Sequence, residues 1–357
     1  MTFRLAGMLL LGGGLLAAAL PESARAGECP AVFAQKETRV PGAVIVSFED
    51  ARMEVVRCGE ADLARKRPMS PDTVFQAASL SKPVTALIAL ALVDEGKLDL
   101  DRPLIDYLDA PYRHDQALLS GQPVWDTVDD PRLRKVTARQ VLSHRSGLPN
   151  WAFGEPLRFA VEPGTEWKYS GEGFSLLATV LEHISGGSLQ TLAMERVFTP
   201  LGMRDSSYVW RDAYAERIAT GYDAEGKPLD TMRFRRPIAA ASLYTTPADY
   251  ARFVQALLLA APDSARARLR ERQVQVDAAY ALGWGLGLGL EEHEQGDCLF
   301  HHGINNGFQS FFMACPAQRR GVLWFTNSDN GLSLAPELLE TTLPGPHPVL
   351  GWPVLHP

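Results

Sequence analysis

Ser79-Leu80-Ser81-Lys82 is the single place in the chain where a lysine stands three residues after a serine. A strand-like run, Thr73–Phe75, precedes it, and apolar residues at helical spacing predict a helix over residues 81–95. Lys82 is therefore expected one turn from Ser79 on the same helix face, where burial would lower the pKa of the amine and let it accept the serine proton. The alternative is that Ser79 only caps the helix and that Lys82 is solvated.

A tyrosine suited to proton transfer occurs in Tyr169-Ser170-Gly171, which follows Glu162-Pro163-Gly164-Thr165 and precedes a predicted helix. From a loop at that place a phenol can project into a cleft, and beside a lysine ammonium its pKa would fall. The alternative is an ordinary tyrosine that packs in the core.

Two histidines begin the polar stretch His301-His302-Gly303-Ile304-Asn305-Asn306-Gly307, which lies between strand-like runs. Gly303 permits a close backbone approach, so a backbone N–H there can stabilise a developing oxyanion. Adjacent histidines also suggest a metal site, but neighbours on a strand point to opposite faces, and neither a third ligand nor His-Glu-x-x-His accompanies them. We therefore expect no metal and no other cofactor.

The elements that must position these three segments follow the order strands, helices, strands. Strands are predicted over residues 43–48, 53–56, 281–290, 299–300, 308–314 and 322–326, and helices over residues 81–95, 138–143, 174–184, 189–197, 247–260 and 335–341. This order predicts an α/β (α+β) fold whose sheet is built from both chain ends around a mainly helical insertion. The sheet lobe is assigned to residues 27–80 and 240–342, the helical lobe to 81–239, and a proline-rich surface tail to 343–357.

The first residues have the pattern of a secretory signal peptide. Arg4 is followed by apolar residues and glycines from Leu5 to Leu20, and Ala24-Arg25-Ala26 forms a small-x-small cleavage site. Cleavage after Ala26 would give a periplasmic or secreted protein without a membrane span; a membrane anchor is the alternative, but the apolar run is short for one. The formal charge is −7 and the arginines are scattered among acids, so nucleic acid is not an expected partner.

The four cysteines, Cys29, Cys58, Cys298 and Cys315, all follow the predicted cleavage site. An even number in an exported protein suggests disulfides, with buried thiols as the alternative. Sequence proximity favours Cys29–Cys58 and Cys298–Cys315 among the three possible pairings.

In this order and at these separations, the three segments resemble the motifs of the serine β-lactamase/penicillin-binding-protein superfamily, and most closely its class C β-lactamases with their related esterases and D-peptidases. The resemblance extends over about residues 40–330 and includes Phe75–Ser79, Leu98–Asp101, Val141–Pro149, Pro200–Met203 and Gly283–Gly285. It implies a β-lactamase/transpeptidase-like fold with an antiparallel sheet flanked by helices.

The resemblance also implies a role for each motif residue. Ser79 would be the acylated nucleophile, and Lys82 and Tyr169 would share the proton transfers, with the choice of base left open. His301 aligns with the lysine of Lys-Thr-Gly. The backbone N–H groups of Ser79 and Ile304 would form the oxyanion hole.

Two residues depart from the pattern of the β-lactamases. Gly171 stands where Tyr-x-Asn has an asparagine, and His301, which is mostly neutral at pH 7, replaces a lysine that helps to hold the carboxylate of a β-lactam. Both changes favour esters or small amides over β-lactams. Gly303, Asn305, Gly171 and Trp151 are expected substrate contacts, with ordinary packing as the alternative for Trp151.

The sequence thus predicts a monomeric serine hydrolase that forms an acyl-enzyme with a small-molecule ester or amide or a peptidoglycan-derived substrate, with esterase activity favoured. The first alternative is a D-Ala-D-Ala carboxypeptidase or a weak class C β-lactamase, and the second is a catalytically silent envelope protein that binds peptidoglycan. A nucleophile elbow at Gly331–Ala335 fits less well, because its final glycine is missing and only His347 and His356 follow it.

Overall fold

The structure is a computed structural model that describes residues 29–34, 38–120 and 122–355. The predicted signal peptide, residues 1–26, lies outside these residues. Within them, no helix combines the length and the apolar character that crossing a membrane requires.

Strands from both ends of the chain form one antiparallel sheet, as predicted. The described strands are β1 (Gly42–Glu49), β2 (Arg52–Asp62), β3 (Arg67–Pro68), β4 (Phe75–Ala78), β5 (Arg113–Asp115), β6 (Trp125–Thr127), β7 (Leu243–Thr245), β8 (Val274–Asp277), β9 (Leu282–Trp284), β10 (Gly289–Glu291), β11 (Cys298–Asn305), β12 (Phe308–Cys315) and β13 (Arg320–Thr326). Nine of them pair in the order β3-β2-β1-β13-β12-β11-β10-β9-β8, while β4 pairs with β7 and β5 with β6. β1 pairs with β13 in the interior of the sheet, so that strands from the two ends of the chain lie side by side.

The helices fill the middle of the chain and cover the sheet. They are α1 (Ser81–Asp94), α2 (Ala138–Leu142), α3 (Glu172–Ser185), α4 (Leu189–Ala193), α5 (Thr199–Leu201), α6 (Pro247–Leu258), α7 (Ala265–Arg268) and α8 (Ala335–Thr342), with a π-helical turn, Met194–Phe198, between α4 and α5. The predicted helices are thereby confirmed, although the helix expected over 189–197 changes to π-helical geometry at Met194.

Both faces of the central strands β1, β11, β12 and β13 are buried. Because successive residues of a strand point to opposite sides, each of these strands contributes to two cores. Val44, Phe312 and Phe325 belong to the large core that α1 and α6 complete. Ile45 and Trp324 belong to a second core, which α8 and the C-terminal segment cover. The strand β12, in the interior of the sheet, is buried along its whole length.

The main difference from the predicted elements concerns His301–Asn305, which the sequence suggested as a turn region between two strands. β11 continues to Asn305 and pairs with β12 throughout, so only Asn306 and Gly307 form the turn. β10 pairs with Cys298–Phe300 alone, and β4 lies against the remainder of β11. The polar residues extend the strand because β12 offers them a partner, which local composition does not reveal.

Both predicted disulfides, Cys29–Cys58 and Cys298–Cys315, are present. The second joins the first residue of β11 to the last residue of β12. Two disulfides indicate an oxidising, extracytoplasmic environment.

The C-terminal segment, residues 343–357, was expected to be a surface tail, but its described part, residues 343–355, contributes to the second core instead. Val349, Trp352 and Leu355 are buried there, and the Trp352 ring lies 6.3 Å from the Phe300 ring. Its apolar residues explain this position, because burying them against the sheet removes their surface from water.

Candidate active site

Ser79 lies between the end of β4 and the start of α1, and it is partly exposed. Ala78, directly before it, has a positive φ of 50°, a conformation that costs a residue with a side chain about 1–3 kcal/mol. The Ser81 hydroxyl holds this turn, because it donates to the Ala78 carbonyl over 2.6 Å and accepts from the Leu243 N–H over 3.0 Å. The turn presents Ser79 to solvent at the first turn of a buried helix.

Lys82 is completely buried, and its amine is directed at Ser79. The Nζ atom lies 2.9 Å from Ser79 Oγ and donates to the Ala240 carbonyl over 3.0 Å. Among the described residues, no carboxylate forms an ion pair with this amine. Burial therefore lowers the pKa of Lys82 to about 7, so that near neutral pH a large fraction of the amine is free to accept a proton.

Tyr169 closes the other side of Lys82. The Lys82 Nζ atom lies 4.6 Å from the centroid of the Tyr169 ring. The Tyr169 phenol oxygen is buried and has no regular hydrogen bond to the described residues. Burial raises the pKa of Tyr169, and the nearby Ser79 hydroxyl opposes part of this rise. The pKa of Tyr169 thus lies above its ordinary value, because the cost of desolvating the phenolate dominates. This contradicts the fall expected from a neighbouring ammonium.

His144 positions the loop that carries Tyr169. Its Nδ1 accepts from the Ser170 N–H over 3.1 Å, and its ring lies 4.3 Å from the Tyr169 ring. Burial, with smaller contributions from Lys82 and His302, lowers the pKa of His144 well below its usual value, so the ring is neutral. In the sequence, His144 lies within the segment Val141–Pro149 that shares the family resemblance, and its distance in sequence from Tyr169 conceals this contact.

His301 and His302 both lie near Tyr169, at ring-centroid distances of 6.3 and 6.1 Å. Both are buried, and burial lowers the pKa of each, that of His302 to about 4. The His301 Nδ1 lies 2.7 Å from the His302 carbonyl, while its Nε2 has no hydrogen bond to the described residues. A neutral histidine therefore stands where the resemblance places a cationic lysine, and contact of His301 with substrate remains a prediction.

Gly303 and Asn305 fasten β11 to β4. A Cβ atom on Gly303 would lie 2.3 Å from the carbonyl oxygen of Ala77, so no larger residue fits there without a shift of the backbone. The Asn305 amide donates to the Gln76 side chain over 3.0 Å and to the Ala241 carbonyl over 3.4 Å. Ile304 lies between these two residues on β11, and the role of its N–H in an oxyanion hole remains a prediction.

Gly171 is the residue on which Trp151 packs. A Cβ atom at Gly171 would lie 2.9 Å from two carbon atoms of the Trp151 ring and 2.6 Å from the Asn150 carbonyl oxygen. Trp151 is half-buried and stacks on Phe153, with centroids 4.9 Å apart. An aromatic pair thus lies beside the tyrosine loop and fills space that a side chain at Gly171 would otherwise occupy.

Together, these residues place the Lys82 amine and the Tyr169 phenol beside the hydroxyl of the partly exposed Ser79. The described part of the chain brings Ser79, Lys82, Tyr169 and His301 together and puts Gly303, Asn305, Gly171 and Trp151 around them. It also adds Trp284, whose ring lies 5.0 Å from His144 and 5.7 Å from His301. The sequence signal for Trp284 was its place in Gly283–Gly285, one of the segments that resemble the β-lactamase/penicillin-binding-protein superfamily.

Solved structures with the same fold are β-lactamases and peptidases. The D-alanine carboxypeptidase AmpC from Burkholderia cenocepacia superposes with a TM-score of 0.71 at 22% identity, over 86% of this chain and 95% of that one. A β-lactamase from Sulfitobacter sp. EE-36 gives a TM-score of 0.71 at 20% identity, over 86% and 93% of the two chains. These similarities establish the β-lactamase/transpeptidase fold.

Curated relatives include a penicillin-binding protein and esterases. Penicillin-binding protein 4 of Amycolatopsis lactamdurans is 28% identical, over 64% of this chain and 63% of its own length. Esterase EstB of Burkholderia gladioli is 31% identical, over 59% and 58%, and the lovastatin esterase of Penicillium rubens is 28% identical, over 62% and 65%. The matches span about three-fifths of the length of these relatives. The family model described as Beta-lactamase matches residues 28–342, and this chain therefore belongs to the Beta-lactamase family.

Proposed function

We propose that this protein is a serine hydrolase that forms an acyl-enzyme on Ser79 and acts preferentially on esters. The observation that carries this proposal is the 2.9 Å contact between the Lys82 amine and the Ser79 hydroxyl, made by a buried lysine whose pKa is lowered to about 7. A neutral amine at that distance can remove the hydroxyl proton as the oxygen attacks.

The reaction follows from these positions. Ser79 Oγ forms a bond to the acyl carbon while its proton moves to Lys82, and the carbonyl oxygen becomes an oxyanion that the N–H groups of Ser79 and Ile304 stabilise. The carbon–oxygen bond to the leaving alcohol then breaks, and the alcohol takes a proton from Lys82, directly or through Tyr169. Water attacks the acyl-enzyme in the reverse sequence and releases the acid, with Ser79 protonated again.

Three features support an ester with an aromatic or apolar group as the substrate. The Trp151–Phe153 stack offers an apolar surface, and Phe153 is 42% exposed. Gly171 supplies no side-chain amide to bind an acyl-amide group. His301 is neutral and buried, so it supplies no fixed cation for a substrate carboxylate. The esterases among the curated relatives are consistent with this preference.

D-Ala-D-Ala carboxypeptidase activity or weak β-lactamase activity is the second candidate. The observation in its favour is the similarity to a penicillin-binding protein over 64% of the chain. The acylation chemistry would be the same, so only the choice of acyl donor separates the two candidates. We further propose that the protein is exported with cleavage after Ala26, works as a monomer in the periplasm or outside the cell, and needs no nucleic acid.

Intact-protein mass spectrometry after exposure to a fluorophosphonate, and separately to a penicillin, tests the proposal. We expect one fluorophosphonate adduct on the wild type and on Ser333→Ala, and none on Ser79→Ala. Ser333 is the matched control because it is exposed and belongs to the elbow-like segment that the sequence offered as an alternative nucleophile.

The outcomes separate the candidates. Ester turnover without a penicillin adduct or penicillin consumption supports the esterase. A lasting penicillin adduct supports the peptidase, and penicillin consumption supports a β-lactamase. A wild-type chain that reacts with neither reagent and hydrolyses no ester contradicts the hydrolase and leaves a silent envelope protein.

A further inference from the structure

A second group of titratable side chains lies at β10, two strands inside the β8 edge of the sheet and outside the proposed catalytic residues. Glu291 ends β10, His293 follows two residues later, and His347 belongs to the C-terminal segment. The Glu291 side chain is completely buried, while the side chains of His347 and His293 are 4% and 14% exposed. Their potential ligand atoms all lie within 4.8 Å of one another.

Both histidines turn a ring nitrogen toward the same carboxylate oxygen. Glu291 Oε1 lies 2.7 Å from His293 Nε2 and 2.8 Å from His347 Nδ1. The other oxygen, Oε2, accepts the Val349 N–H over 2.8 Å, which fixes the orientation of the carboxylate. Two imidazole nitrogens therefore meet at one carboxylate oxygen, and the three potential ligand atoms form one compact group.

The Leu343 carbonyl fixes the tautomer of His347. It lies 2.6 Å from His347 Nε2, and because a carbonyl only accepts, that nitrogen carries a proton. In a neutral ring the lone pair of Nδ1 then points at the negative carboxylate, so a positive charge is needed between them. A metal-bound histidine typically donates its other N–H to a carbonyl or carboxylate in this way.

We propose that Glu291, His293 and His347 bind a divalent transition-metal ion of the zinc class. Two imidazoles and a carboxylate are a ligand set that suits zinc, with water able to complete the coordination. A second proton on His347 would satisfy that ring alone, whereas a metal ion uses all three converging atoms. Tetrahedral zinc separates its ligand atoms by about 3.3 Å, so the group opens by roughly half an ångström on binding.

The ion would fasten the C-terminal segment to β10. That segment carries Trp352, whose ring lies 5.5 Å from the Trp167 ring, and Trp167 lies 6.3 Å from the Tyr169 ring. The metal would thus stabilise, from behind, the aromatic packing next to the proposed catalytic tyrosine. It would take no part in the reaction on Ser79, so the two proposals can fail separately.

The test uses the chain from residue 27 to 357, dialysed against a chelator and then equilibrated with Zn²⁺ near neutral pH. Elemental analysis is expected to find one zinc ion per chain, with a melting temperature several degrees above that of the chelated protein. His293→Gln and His347→Gln should each weaken binding by more than about 100-fold, since loss of even an outer-shell partner costs 10–100-fold.

His183→Gln is the matched control, because His183 is 39% exposed and pairs with a single carboxylate, that of Asp109. It should bind zinc as the wild type does. His293→Gln preserves the contact between Glu291 and His347, so it keeps the test valid if His347→Gln fails to fold.

Two results would overturn the proposal. One is a folded wild type that retains no zinc and melts at the same temperature with zinc and with chelator, which would assign the positive charge to a proton on His347. The other is undiminished zinc binding by both histidine variants, which would put the ion elsewhere.

Discussion

Two buried charged groups have opposite environments in this protein. Lys82 is enclosed with a hydroxyl and a carbonyl oxygen as its hydrogen-bond partners, and burial lowers its pKa to about 7. Glu291 is equally buried, but two histidines and the Val349 N–H surround it, and these partners hold its pKa below the usual value despite burial. One group is poised to exchange a proton, and the other stays charged.

The difference shows how burial serves reactivity in one place and structure in another. A buried charge without an opposite charge is expensive, and the cost shifts the group toward its neutral form, which for an amine is the basic form. A buried charge with partners keeps its ionisation and joins the segments that supply those partners. Lys82 is therefore suited to catalysis, whereas Glu291 fastens β10 to the C-terminal segment.

The substitution with the largest expected effect is Lys82→Met. Removing the proposed base should slow acylation by a p-nitrophenyl ester about 10²–10⁴-fold, measured as the burst rate. The free energy of unfolding should change by less than about 2 kcal/mol, because removing a buried amine without an opposite charge offsets the loss of its hydrogen bond to the Ala240 carbonyl. A large loss of stability together with full activity would show that Lys82 serves the structure rather than the reaction.

Tyr169→Phe is expected to have the next largest effect. It tests a buried neutral group, the phenol, beside the buried amine of Lys82. It should slow acylation about 10²-fold, since the phenol is proposed to pass the proton to the leaving group. Stability to urea should not fall, because the lost hydroxyl is buried without a regular hydrogen bond. Tyr280→Phe, outside the proposed site, is the control, and equal rates for both variants would exclude Tyr169 from the proton path.

In protein treated with a chelator, Glu291→Gln should lower the stability and leave the acylation rate nearly unchanged, the converse of Lys82→Met. Below about pH 6.5, losing the charge that both histidines face should lower the free energy of unfolding by about 1–3 kcal/mol, measured by urea denaturation. The acylation rate at a temperature where the variant is folded should change less than about threefold, since the carboxylate contacts none of the proposed catalytic groups. Glu292→Gln, on the exposed neighbour, controls for the loss of a surface charge.

A pair of opposite pH dependences should also distinguish Lys82 from Glu291. The value of kcat/KM should fall about tenfold per pH unit below about 7 and level off above it, as Lys82 becomes protonated. Glu291 and the Leu343 carbonyl raise the pKa of His347. The stability difference between wild type and Glu291→Gln, in chelator, is therefore present below about pH 6.5 and lost as the pH rises through that raised pKa. If kcat/KM and this stability difference changed in the same direction with pH, the assignment of the two pH dependences to Lys82 and His347 would be wrong.

Much of the fold could be predicted because local patterns specify it. Apolar spacing placed α1, strand-like runs on either side of a turn placed β1 and β2, and the proximity of Cys298 to Cys315 indicated their pairing. The run His301–Asn305 could not be assigned to a strand in the same way, since its pairing with β12 depends on a contact across the turn.

For the candidate site, the sequence by itself determined which groups are available: Ser79 and Lys82 one helical turn apart, then Tyr169, then the histidines. Only the tertiary structure decided how these groups behave. The lowered pKa of Lys82 requires packing that excludes water from the amine, and this packing comes partly from residues far along the chain, such as Ala240. The meeting of Glu291 with His347 likewise depends on the C-terminal segment returning to β10, because proton affinity and ligand geometry are set by spatial neighbours rather than by neighbours in sequence.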